Sequence, residues 1–308
     1  MTSLVLHIIP LLLLLISCSS LNVIKSNNNQ LSCKSRGVSH VDKNFIMKSD
    51  TSDAEKESKL IPLYSLSKWS AVGLVGLEVP KLISKTNIEQ SFLVISSYLA
   101  AAITASTLES ASRRTRLSGT TFKTLNCGLT TAAKFSLVMS GVALWKYPVT
   151  NSLKTNYWLI ILQSLLTISP CMRALKLGKR SLIKTPKISL LENSILGVAY
   201  LASAVHFFLQ GVKNLLAPAT FPVTLHSIGL FVIPASLLTL HDAANNDYSR
   251  LSSDTYKKLN LMVLIFSGIK ALVAYNSFGF VANVNFVADV LSALFSLIGL
   301  ILGLVLKK

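Results

Sequence analysis

Three ionisable side chains fall inside otherwise apolar stretches: Lys134, His206 and Lys270. A charge in hydrocarbon costs at least ~2.5 kcal/mol, so such a group earns attention as a functional candidate. An ammonium can hold an anion, and an imidazole can take up a proton near neutral pH. Together the three read as a polar path for a small anion or a proton. The alternative is that Lys134 pairs with a buried acid or carbonyl and fixes packing. Glu78 and Asp289 lie nearer segment ends, where interfacial water can solvate them, and are read as bland. Other chemistry finds no pattern. There is no Walker loop, no GxGxxG and no HExxH. The four cysteines, Cys18, Cys33, Cys127 and Cys171, form no CxxC and have no histidine at ligand spacing. No catalytic residue, cofactor or metal site is assigned.

One short phrase occurs twice. Residues 116–126 (RLSGTTFKTLN) recur as residues 250–260 (RLSSDTYKKLN), identical at seven of eleven positions and offset by 134. Read as a site, it places Arg116, Lys123, Arg250 and Lys257 at a basic mouth that attracts an anion or contacts lipid. Read as structure, Ser118 and Ser252 cap helix N-termini, each a contribution of about 1 kcal/mol. A lysine in a first helical turn opposes the dipole, so Lys123 and Lys257 are explained instead by snorkelling to anionic headgroups.

The elements that must position these residues are eight apolar segments. They run roughly over 62–83, 90–109, 124–145, 157–174, 189–212, 224–240, 259–276 and 285–305. They lack period-2 alternation and are rich in Leu, Ala, Ile and Ser, so the fold class is an all-α polytopic membrane bundle. Only 14% of residues are charged, against about 25% in soluble domains. The doubled phrase opens the third and seventh segments. This divides the chain into membrane repeat 1 (61–180) and membrane repeat 2 (181–308). Each has four helices, so the repeats insert in parallel. A fainter trace aligns Ser65-Leu66 and Gly73 with Ser189-Leu190 and Gly197 at an offset of 124. It implies some ten extra residues in the second repeat before the phrase, in the Pro-rich stretch 217–222. The net charge of +17 sits in loops. Fifteen Lys and Arg fall on the face carrying the phrase and five on the other, a positive-inside bias. The expected partners are therefore a lipid bilayer including anionic lipids, a small solute and membrane-protein partners, with no nucleic acid. Gly299 and Gly303 form a Gly-x-x-x-Gly packing strip. The small residues of the second segment place it inside the bundle, and Pro234 and Pro170 are expected to bend theirs.

Residues 4–16 and the small residues after them have the form of a signal peptide, over 1–20. Residues 21–60 continue as a transit-peptide-like segment, mostly disordered, ending in a charged linker at 50–59. Signal followed by transit peptide resembles the bipartite presequence of plastid proteins in algae with complex plastids, although Leu21 stands where those presequences carry an aromatic residue. None of the seventeen asparagines lies in an Asn-x-Ser/Thr sequon. The expectation is a plastid membrane, with a secretory-pathway membrane as the alternative.

Acidic residues after the second and sixth segments (Glu109; Asp242, Asp247 and Asp254) resemble the layout of intramembrane prenyltransferases, which implies a magnesium-diphosphate site. Here the first loop has one acid beside Arg113 and Arg114. Gln163 and His206 could ligate chlorophyll magnesium, though the Glu-x-x-His/Asn-x-Arg pairing of light-harvesting proteins is absent. The leading expectation is a carrier of a small, anionic solute between the two repeats. A structural or assembly subunit is the alternative, and a degenerate prenyltransferase-like or pigment-binding protein the third.

Overall fold

A computed structural model describes residues 53–84, 88–146, 151–177, 194–216, 221–246, 248–278 and 284–305. A short helix at 53–58 leads into α1 (Ile61–Ile83). There follow α2 (Ile88–Arg113), α3 (Thr120–Lys146), α4 (Asn151–Leu175), α5 (Ile195–Leu216) and α6 (Phe221–Asn246). A 3-10 turn (Tyr248–Ser252) then precedes α7 (Asp254–Phe278) and α8 (Val284–Val305). No strand occurs among the described residues. All eight helices are long and apolar enough to cross a membrane, as a multi-pass membrane protein requires. The expected signal peptide, most of the transit-like segment and positions 217–220 of the Pro-rich connection lie outside the described residues.

The helix ends explain the doubled phrase. In both copies the chain makes a turn before the helix: Gly119 N–H donates to Arg116 O at 3.0 Å, and Ser253 N–H to Arg250 O at 3.0 Å. The first helical bonds then run from Lys123 N to Gly119 O and from Lys257 N to Ser253 O. The N-caps are thus Gly119 and Ser253, one residue later than the expected Ser118 and Ser252. The preceding turn consumes the serine position, and Ser252 Oγ donates to Ser249 O instead. Leu117, Leu251, Leu125, Leu259, Asn126 and Asn260 are all fully buried. Much of what repeats is therefore a buried plug. Before the first copy, Thr115 closes α2 in the left-handed region (φ 51), which strains a β-branched residue.

The tail of the expected charged linker is folded. Glu57 is buried, its carboxylate accepts Leu117 N–H at 3.1 Å, and its carbonyl accepts the Ser112 hydroxyl. An acid beside the start of α3 also suits that helix's dipole.

Packing runs by antiparallel pairs. α1 lies on α2 and α3 on α4, closed by α1 on α4 and α2 on α3. α5 lies on α6 and α7 on α8, closed by α5 on α8 and α6 on α7. The two sets meet through α2, α3, α6 and α7. α2 is in the interior, as its small residues predict, and buries Ser96, Ser97, Ala100, Ala101 and Ala105 among others. Small residues permit the closest crossings. A Cβ on Gly128 of α3 would overlap Ala235 of α6, and one on Gly229 of α6 would overlap Phe266 and Ser97. α6 runs unbroken through the buried Pro234.

α8 has its pattern turned outward. It buries Asp289, Ser292, Ser296, Gly299 and Gly303, and exposes Leu291, Leu294, Ile298, Ile301 and Leu304. A water-facing helix would do the reverse. Hydrocarbon around the bundle accounts for it.

Candidate functional site

The polar groups of α5, α7 and α8 converge. His206 and Gln210, one turn apart on α5, share an inward strip. Asp289 and Asn285 are likewise one turn apart on α8, and Lys270 comes from α7. Lys270 Nζ lies 3.5 Å from Asp289 Oδ1, with side chains 9% and 3% exposed. His206 Nε2 lies 3.2 Å from the same oxygen. Lys270 also donates to Gln210 Oε1. Gln210 Nε2 lies 2.8 Å from His206 Nε2 and 3.4 Å from Asn285 Oδ1. Beneath this, Lys270 Nζ sits 5.1 Å from the Phe207 ring centre, and Phe207 meets Phe266 edge-on at 5.6 Å. The cluster thus has an aromatic floor and a wet rim at Asn285, which is exposed.

Of the three expected path residues, the structure brings together His206 and Lys270. Lys134 stands apart. It is half-buried on α3 along the strip of Cys127 and Thr131, and makes no hydrogen bond or ion pair among the described residues. Counted from the shared Asn126/Asn260, Ser136 rather than Lys134 occupies the register of Lys270. Asp289, expected to be solvated near a helix end, is the acid that joins His206 to Lys270. The sequence signal for it was present: a lone acid in the same strip as Ser292, Ser296, Gly299 and Gly303. The site also lies within the second set of helices, not in the crossing between the two sets.

The basic phrase residues scatter. Arg116 is exposed, but Lys123 is 2% exposed, where the headgroup expectation puts it outside. Lys257 is half-buried. Arg250 donates to Asp242 at 3.2 Å and to Thr121 Oγ1 at 3.0 Å, and Thr121 Oγ1 lies 3.3 Å from Tyr256 OH. The two copies of the phrase therefore touch each other.

A matched pair of bonds ties each phrase to the helix that opens its set. Tyr64 OH donates to Asn126 Oδ1 at 2.5 Å, and Tyr200 OH to Asn260 Oδ1 at 2.6 Å. These span 62 and 60 residues. Tyr64 of α1 and Tyr200 of α5 thus make like bonds, at an offset of 136 where the Gly73/Gly197 trace has 124. Gly197 is pressed against Asn245, whereas Gly73 has nothing near it. Gly299 is what admits the second pair, since a Cβ there would overlap the Tyr200 hydroxyl. A Cβ on Gly303 would likewise overlap Leu251 O.

Of the acids of the expected magnesium loops, Asp247 lies outside the described residues, and Glu109 and Asp242 have other partners. Glu109 accepts from Lys68 and Arg113, both at 2.8 Å. Asp242 holds Arg250, while His241 Nδ1 lies 2.8 Å from Gly197 O. Among the described residues no group of three or more His, Cys, Asp or Glu could hold a metal. For a pigment, His206 Nε2 is already engaged; Gln163 Nε2 donates to Thr167 at 3.0 Å, and Gln163 Oε1, the atom that could meet magnesium, is buried without a hydrogen-bond partner among the described residues. No protein-family model, curated protein or solved structure matches the chain.

Proposed function

We propose that this is an integral membrane carrier of small solutes, built from two parallel four-helix repeats (61–180 and 181–308), with its working centre at His206, Lys270 and Asp289. The observation that carries this reading is a charged pair buried among helices whose outer faces are aliphatic. Replacing a buried ion pair with apolar packing is often neutral or stabilising, by about 1–4 kcal/mol. A subunit that served packing alone would gain nothing from keeping the charges. A path is also favoured, because Gln210 and Asn285 continue the polar line to one end of α5 and α8.

The repeat reading is supported by the equivalent helix pairings and the twin Tyr-Asn bonds. The anionic-solute expectation needs a refinement, since Asp289 already compensates the Lys270 charge. The presequence supports delivery to a plastid membrane.

The test is stopped-flow light scattering of proteoliposomes against a panel of small ions and neutral solutes. At least one solute should equilibrate faster than in empty vesicles. The double variant Lys270→Met/Asp289→Leu, which removes both charges together, should fold and lose that flux. No flux for any solute from correctly folded protein would favour the assembly-subunit reading.

A further inference from the structure

We infer that the His206–Asp289–Lys270 centre takes up one proton together with one monovalent anion; this rests on the carrier reading of the same site. The argument is a charge count. Two groups able to be cations, His206 and Lys270, share one oxygen of one carboxylate, at 3.2 and 3.5 Å. With neutral histidine the centre sums to zero and Lys270 is spent on Asp289. With protonated histidine it sums to +1, and Asp289 can serve His206 while the Lys270 ammonium is released. A net charge in a low-dielectric site is costly, so the proton is retained only if an anion arrives with it.

The hydrogen bonds fit a centre poised between these states. His206 Nε2 faces both Asp289 Oδ1 and Gln210 Nε2. A single ring nitrogen accepts from the amide when unprotonated, or donates to the carboxylate when protonated, but not both. Starting from the Nδ1–H tautomer, protonation therefore breaks the Gln210 contact. Gln210 is the group that also accepts from Lys270, so protonation loosens the amide that holds the lysine while it strengthens the competing claim of His206 on Asp289. Among the described residues no other charge intervenes. α7 contributes Lys270, α8 contributes Asp289 and the Asn285 amide, and α6 meets α5 near this height with Leu230 and Phe231 against Gly211. On α5 itself, Lys213 is exposed, and His241 of α6 is held at Gly197, about 13 Å along the helix at ~1.5 Å per residue.

Linkage makes the effect reciprocal: the anion must raise proton affinity as much as the proton raises anion affinity. The experiment is calorimetric titration of the full chain in detergent with sodium chloride, nitrate and formate, in two buffers of different ionisation heat. At least one anion should bind with uptake of one proton. Its affinity should fall as pH rises, approaching about tenfold per pH unit for one linked proton. Asp289→Asn frees Lys270 without a proton, so binding should persist with proton uptake lost. His206→Gln should lose both the pH dependence and at least tenfold in affinity at acid pH. Binding without proton uptake, unchanged proton linkage in Asp289→Asn, or no binding of any of the three anions by folded protein would each overturn the inference. Anion flux without proton movement would sink it while leaving the carrier reading intact. Proton-linked binding without flux would do the opposite.

Discussion

Asp289 enters α8 only five residues after its first residue, which is why sequence reasoning assigns it to interfacial water. Burial comes from outside α8: α5 and α7 bring His206 and Lys270 to the same oxygen. The cost of isolating either charge gives a direct stability test. Asp289→Leu alone strands a lysine that is 9% exposed, and removing one partner of a buried pair costs about 3–5 kcal/mol. Adding Lys270→Met should return most of that stability. Thermal melts in detergent of the single and double variants check this. A single variant as stable as wild type would mean that water already reaches the lysine. Legibility at this scale was partial. His206 and Lys270 stand out because they interrupt apolar runs, but no spacing rule pairs residues 60 or 83 positions apart, which is how far Gln210 lies from Lys270 and His206 from Asp289.

The same limit governs the helices. Their number and order are readable from hydropathy, and the doubled phrase correctly marks the starts of α3 and α7. The cap position shifts by one residue because the serine is consumed by a turn that only coordinates reveal. The fainter Gly73/Gly197 trace joins glycines in unlike surroundings, because glycine in an apolar helix arises for two reasons, close approach or no constraint. Here the two glycines fall on opposite sides of that divide. Gly73→Ala should be neutral or gain up to ~1 kcal/mol, the helix-propensity difference. Gly197→Ala must displace Asn245, which accepts from Ser194 N and Oγ at 3.0 and 3.1 Å and so secures the start of α5. It should cost about 1–3 kcal/mol, as overpacking does. Paired unfolding measurements check both values, and equal effects at the two glycines would mean that their surroundings are alike.

At the scale of the whole molecule, the charge count and the helix count constrain each other. If the proposed eight crossings and parallel repeats hold, the turn before α3 and the turn before α7 lie on one face, the face that carries fifteen of the twenty loop cations. The Thr121 contacts with Arg250 and Tyr256 require the same, since they join the two turns directly. Impermeant thiol labelling of single-cysteine variants in sealed membranes reads this out. Arg114→Cys and Ser249→Cys, both at exposed positions, should label from the same side. Ser84→Cys, past the end of α1, should label only from the other. The native Cys18, Cys33, Cys127 and Cys171 are replaced by Ser in each variant. Labelling of Arg114→Cys and Ser249→Cys from opposite faces would require an odd number of crossings between them. The parallel repeats would then fall, and with them the joined turns. The polar centre of α5, α7 and α8 would survive, because its distances lie within one set of helices and do not depend on how the two sets are inserted.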